Sequence, residues 1–185
     1  MSLSNIKRFG VLILMGIVLF SSACRKEQRD VLFEMTYPNL EFEVIPGISG
    51  SQALVFSYPA IDTKINSFLT QNNATLEDIG SIQPLRARIE STDGRSLYFL
   101  QRAEIRVCNT DSSDCQPLFD QAFDASDLNG SVSTSLDLIP GLKARTDLLT
   151  SDYFKLEIIL YLNIGTVTPY NVKGRANVTF AALKK

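Results

Sequence analysis

Apolar residues at every second position, interrupted by turn dipeptides, decide what most of this chain can become. In "LEFEV", Leu40, Phe42 and Val44 alternate with Glu41 and Glu43. In "LRARIE", Leu85, Ala87 and Ile89 share one face while Arg86, Arg88 and Glu90 take the other; "AEIRVCN" repeats the pattern with Ala103, Ile105 and Val107. Successive side chains of an extended strand point to opposite faces, so a period of two makes strands with one face in a core and the other in water. Pro46-Gly47, Asp93-Gly94, Asn129-Gly130 and Pro140-Gly141 separate the runs with residues whose backbone preferences reverse the chain. The result is an all-β expectation: an antiparallel β-sandwich, immunoglobulin-like or jelly-roll, of about seven to nine strands.

The last two strands read most clearly. "YFKLEIILYLN" sets Phe154, Leu156, Ile158, Leu160 and Leu162 on one face, and "NVKGRANVTFAA" does the same with Val172, Gly174, Ala176, Val178, Phe180 and Ala182. Joined by the loop "IGTVTPY", they are expected to form a terminal hairpin, with Leu160 opposite Gly174 and Ile158 opposite Ala176, large against small. Two stretches break the rhythm and predict one or two short helical plugs at the ends of the sandwich. "DTKINSFL" spaces Ile65, Phe68 and Leu69 helically after a cap at Asp62 or Thr63, and "GLKARTDLL" carries a weaker signal through Leu142, Leu148 and Leu149.

Composition narrows the chemistry. The chain is 45% hydrophobic and 21% charged, the balance of a globular protein. It has no histidine, which removes the commonest general base and zinc ligand, and with them any Ser-His-Asp or Cys-His arrangement. The formal charge is −2, and residues 1–23 hold Lys7 and Arg8 but no acid, so without them it falls to −4. That gives no electrostatic footprint for nucleic acid.

The N-terminus has a different character. Lys7 and Arg8 precede an uncharged run from Phe9 to Phe20, then the small residues Ser21, Ser22 and Ala23, and Cys24. A spanning helix needs roughly 20 apolar residues, so this run is too short and has the form of an export signal. Its ending, "FSSAC" at residues 20–24, resembles the lipobox of bacterial lipoproteins. Ser22 and Ala23 match the small residues before the cut, whereas Ser21 stands where an aliphatic residue is usual. The resemblance implies cleavage before Cys24 and attachment of diacylglycerol to its thiol, hence anchorage in a membrane. Arg25 occupies the place where an aspartate often holds lipoproteins at the inner membrane of Gram-negative bacteria, which implies outer-membrane delivery. "RKEQRD" partly matches a surface-export tether through Lys26 and Glu27, though Gln28 breaks the acidic pair; a plain solvated linker reads equally well, and the periplasmic or surface face stays open. The expected organisation is a cleaved signal at 1–23, a charged tether at 24–30 and one β-sandwich domain at 31–185.

Few residues suggest chemistry. Cys108 and Cys115 bracket the polar loop "NTDSSD"; facing each other across a hairpin they would form a structural disulfide, as an oxidising envelope allows, worth roughly 2.5 kcal/mol of loop entropy. Two free thiols are the alternative. "ASDLNG" places Asp127, Asn129 and Gly130 like part of a calcium loop, but Ala125 and Leu136 occupy positions that need carboxylates, so no metal is expected. Asp111 and Asp114 read as solvated turn residues. Arg86, Arg88, Arg102 and Arg106 form either a cationic stripe on adjacent strands or, with Glu90 and Glu104 interleaved, a mixed solvated face. Tyr170, after Pro169, is the exposed aromatic most suited to contacting a partner, with an ordinary loop-packing tyrosine as the other reading. No catalytic set and no cofactor emerge. The expected function is a lipid-anchored envelope module, non-catalytic, that binds or assembles with an envelope protein or a glycan; the alternatives are a carrier with an apolar ligand between its sheets and a carboxylate-based hydrolase.

Overall fold

The computed structural model of the chain describes residues 30–50, 52–123, 133–165 and 167–185. Residues Val31–Lys185 form a unit of their own. Eight strands run in chain order: β1 (Val31–Val44), β2 (Ala53–Asp62), β3 (Ile79–Ser91), β4 (Leu100–Cys108), β5 (Gln116–Ala122), β6 (Ser135–Pro140), β7 (Tyr153–Leu162) and β8 (Val172–Lys184). Two short helices, α1 (Ile65–Gln71) and α2 (Thr146–Leu149), lie where the period of two lapses. Asp62 and Thr63 do accept the first helical N–H groups, from Lys64 at 2.8 Å and Ile65 at 3.4 Å. The cap position itself is Lys64, held at φ 53°.

All pairings are antiparallel and nested. β1 pairs with β8, β2 with β7, β3 with β6 and β4 with β5, as in a long hairpin of four strand pairs rolled up on itself. The spatial order β1-β8-β3-β6-β5-β4-β7-β2 divides into two four-stranded halves, β1-β8-β3-β6 and β2-β7-β4-β5. Between the sandwich architectures the sequence allowed, this pairing is the jelly roll. On one side the halves are stitched by Phe119↔Pro140 and Asp120↔Ile139. On the other, β1 and β2 meet through side chains: the Phe42 and Phe56 rings lie 5.1 Å apart, and the Tyr58 hydroxyl donates to Glu41 O at 2.6 Å. Both open edges carry a proline at a register shift, Pro38 in β1 and Pro59 in β2, which interrupts the ladder a further strand would need.

The core lies where the alternation places it. Every inward residue of β7 and β8 named from the sequence is buried, and Tyr37, Phe154 and Phe180 meet edge-on at the centre. The expected terminal hairpin, however, is absent: β7 and β8 belong to opposite halves. Leu160 stands opposite Leu54 and Ala103, Ile158 opposite Phe56 and Ile105, and Ala176 opposite Leu40 and Ile89. Period two fixes which face of a strand is buried and says nothing about which strand lies beside it. The large partner of Gly174 is Phe42, its register neighbour in β1; a Cβ on Gly174 would come within 2.3 Å of the Phe42 ring.

Two predictions follow from this packing. Gly174→Ala should destabilise the domain by about 1–3 kcal/mol in denaturant unfolding, as overpacking does, and Phe42→Leu in the same chain should recover part of the loss; an unchanged midpoint would contradict the interlock. Burial, with the nearby Glu41 carboxylate, pushes the Tyr58 phenol up to about 12 from 10.0. The folded form therefore holds this proton more tightly than the unfolded chain, so its contribution is complete below pH 10 and lost as pH rises towards 12. Tyr37, raised further by burial, acts in the same sense. Stability should fall over that range, and less steeply in Tyr58→Phe; a flat profile would contradict it.

Candidate interaction surface

Strand direction sorts the connections to two ends. β1 enters at the end that holds residues 63–78, 109–115 and 141–152, and β8 finishes there. The connections at 45–52, 92–99 and 163–171 share the opposite end.

At that loop end, Thr168 joins two connections. Its hydroxyl donates to Ile45 O at 2.8 Å and accepts the Ile48 N–H at 2.9 Å, while its own N–H donates to Ile48 O and its carbonyl accepts the Gly47 N–H. Gly47 takes φ 85°, a conformation the Pro46-Gly47 turn needs and glycine supplies without a Cβ clash. The third connection is joined through Tyr170, whose hydroxyl donates to Ser96 O at 3.0 Å. The Arg95 guanidinium sits 5.4 Å above its ring, and the Tyr98 ring meets it edge-on. Tyr170 is thus partly buried and serves to position Arg95 and Tyr98, with Tyr98 the more outward of the two rings. Asp93 fixes the base of the same loop: burial works against its ionisation, but hydrogen bonds from Ser91, Lys173 N–H and Arg95 N–H, with the Arg95 charge, hold its carboxyl below the usual range.

This tied frame presents apolar side chains to solvent. Ile164 is 84% exposed, and Ile45, Val167 and Tyr98 also stand out. Residues 45–52 and 163–171 contain no acidic or basic side chain. Sequence reasoning picked Tyr170 and passed over its neighbours. Two uncharged runs in a chain that is 21% charged were the available signal, legible only once both are known to share one end.

The remaining expectations divide. Cys24 and the "ASDLNG" residues Ala125, Asp127, Asn129 and Gly130 lie outside the described residues; Leu136 is buried in β6, opposite Ile89. Cys108 and Cys115 form a disulfide with Cα atoms 4.5 Å apart, across the β4–β5 hairpin as expected. The arginines do not form a stripe on adjacent strands, because β6 and β5 stand between β3 and β4. Arg86 pairs with Glu34 at 2.6 Å and Arg88 with Asp137 at 3.9 Å. On the other half, Arg102 and Arg106 both close on Glu104, at 2.7 and 2.6 Å, and Arg102 also grips Asp120 through two hydrogen bonds. Glu104 is only 2% exposed, a buried carboxylate on what the alternation marks as a solvent face. A mixed, internally paired face is what the arginines make.

A groove of about 410 Å³ lies over β1 and β8, lined by Glu41, Phe42, Glu43, Thr92, Lys173 and Gly174. Its two carboxylates issue from one strand face and share a wall, whereas glycoside hydrolysis needs carboxyls that flank the bond. Among the described residues no group of three or more His, Cys, Asp or Glu side chains could hold a metal ion. Between the sheets, the rings of Tyr37, Phe119, Phe154 and Phe180 occupy the space an apolar cargo would need.

No protein-family model matches the chain, and no curated protein sequence does. Among solved structures, it is similar to the infectious bursal disease virus VP2 subviral particle, with 15% identity and a TM-score of 0.39; the match covers 82% of this chain and 32% of that one, so this chain spans about a third of the VP2 length. Desmodium yellow mottle tymovirus matches at 14% identity and a TM-score of 0.29, over 82% of this chain and 87% of that one. Turnip yellow mosaic virus matches at 13% identity and 0.27, over 82% and 81%. The jelly-roll assignment rests on the strand pairing itself.

Thr168→Val keeps the shape of the side chain and removes the hydroxyl, leaving Ile45 O and the Ile48 N–H without it. It should cost about 1–3 kcal/mol and speed amide exchange at residues 45–49. Unchanged exchange there would show that the hydroxyl does not hold the surface together.

Proposed function

We propose that this chain is a lipid-anchored cell-envelope protein in which Cys24 carries the lipid and the jelly roll presents its loop end to a partner. The observation that carries this reading is the place of chain entry: β1 begins seven residues after Cys24, at the end of the sandwich opposite the uncharged apolar loops. A domain tethered by its chain-entry end leaves Ile45, Tyr98, Ile164 and Val167 at its other end, exposed for another molecule to reach.

Two features support a binding or assembly role over catalysis. The loop surface is fixed by hydrogen bonds before any partner arrives, so binding costs little ordering of the backbone. Its most exposed residues are aliphatic and aromatic, suited to the apolar centre of a protein interface, and the Arg95 charge beside them is paired with Asp93. "FSSAC" supports the anchor by its likeness to the lipobox, and Arg25 supports outer-membrane delivery. The Cys108–Cys115 disulfide is compatible with an oxidising compartment.

Metabolic labelling with a fatty acid in a Gram-negative host tests the anchor. The parent chain should take up label and Cys24→Ala should lose it entirely. Undiminished labelling of Cys24→Ala would overturn the assignment.

A further inference from the structure

The connection between β6 and α2 has an unusual form. It is pinned on both sides: the Gly141 N–H donates to Leu118 O at 2.7 Å, and the Arg145 N–H donates to Ile82 O at 2.9 Å. A Cβ on Gly141 would lie 3.2 Å from that Leu118 carbonyl, so the close approach suits a glycine. Between the two pins residues 142–144 are exposed, and Leu142, next to the first pin, is 98% exposed. A leucine side chain gains free energy by leaving water, and this one is left almost wholly in it. Ile139, also exposed, and Pro140 continue the apolar surface into a shallow groove of about 360 Å³ lined further by Pro117, Leu118, Phe119, Gly141 and Asp120, whose carboxylate pairs with Arg102.

This loop lies at the chain-entry end. Six residues lie between Cys24 and Val31, so a lipid on Cys24 holds that end within about 25 Å of its membrane even at full extension. The opposite end of the sandwich lies beyond strands of ten residues or more, roughly 33 Å along them at about 3.3 Å per residue. We infer that Leu142 enters the interfacial layer of the bilayer that holds the anchor, so that the jelly roll sits on the membrane by its β6–α2 loop. This rests on the lipid-anchor reading above.

The charges at this end define the kind of membrane contact. Lys64, Lys143, Arg145, Lys184 and Lys185 are outnumbered by Asp30, Asp62, Glu77, Asp78, Asp111, Asp114, Asp147 and Asp152. Lys143 lies 3.4 Å from Gln116 Oε1, and Arg145 pairs with Asp147. The surface is not basic, so attraction to anionic lipid does not drive the contact. It is apolar, and it should persist on zwitterionic lipid and in salt that screens charges beyond about 8 Å.

The absence of tryptophan from the chain gives a direct test. Leu142→Trp and Ile164→Trp each create a protein with a single tryptophan, at exposed positions where the new ring meets no core. The full lipidated chains are reconstituted on phosphatidylcholine vesicles, with and without bromine-labelled acyl chains, and fatty-acid labelling of Cys24 is read in parallel. Emission from Leu142→Trp should shift to the blue and lose intensity to the bromolipid, unchanged by added salt, while Ile164→Trp stays at the wavelength of an exposed ring. A Leu142→Trp protein that carries its lipid yet emits as though in water would overturn the membrane contact and leave the anchor standing. Absence of lipid on Cys24 would overturn both.

Discussion

The pairing of the first strand with the last is the constraint on which the rest of this molecule depends. β1 and β8 run side by side from Val31↔Leu183 to Val44↔Val172, and β8 also holds β3 on its other edge. That places both ends of the domain at one end of the sandwich and leaves the connections at 45–52, 92–99 and 163–171 at the other. The contact is among the most distant in sequence, so its loop-closure cost is met late and only by the burial it completes. Phe42 set into the space over Gly174 is the local form of that burial: a small residue in one strand is filled by a large one in the strand beside it.

Much of the fold was legible in the sequence because burial leaves a periodic trace. The inward faces of β1, β7 and β8 follow directly from Leu40-Phe42-Val44, Phe154 through Leu162, and Val172 through Ala182. Partnership leaves no such trace. Adjacent strands in a chain usually pair, and that tendency pointed β7 at β8; in a jelly roll the 163–171 connection instead carries the chain from one sheet to the other. The cysteine pair was readable for the opposite reason, since a separation of seven positions across a polar loop suits neighbouring strands of one hairpin.

Function was less legible, and the reasons are physical. Glu104 looks like every other outward acid of an alternating strand, yet Arg102 and Arg106 cover it so completely that it leaves water. A buried carboxylate that keeps two arginine partners avoids an isolated buried charge, and its worth is in fixing that face more than in net stability. The loop surface is assembled by Thr168 and Tyr170 from segments 74 to 123 residues apart, so no local motif announces it. What sequence does carry is the absence of charge in those segments and the signal-like run that ends at Cys24.

On the proposed reading the molecule has two ends with different tasks: one that receives the chain and meets lipid, and one, tied together by Thr168 and Tyr170 and largely apolar, that meets something else. Site-specific photocrosslinking in intact envelopes tests that division most directly, with a photoreactive residue at position 164 in one strain and at position 142 in another. The account predicts a discrete protein adduct from position 164 and lipid adducts from position 142. Lipid adducts from position 164, with protein adducts from position 142, would contradict it.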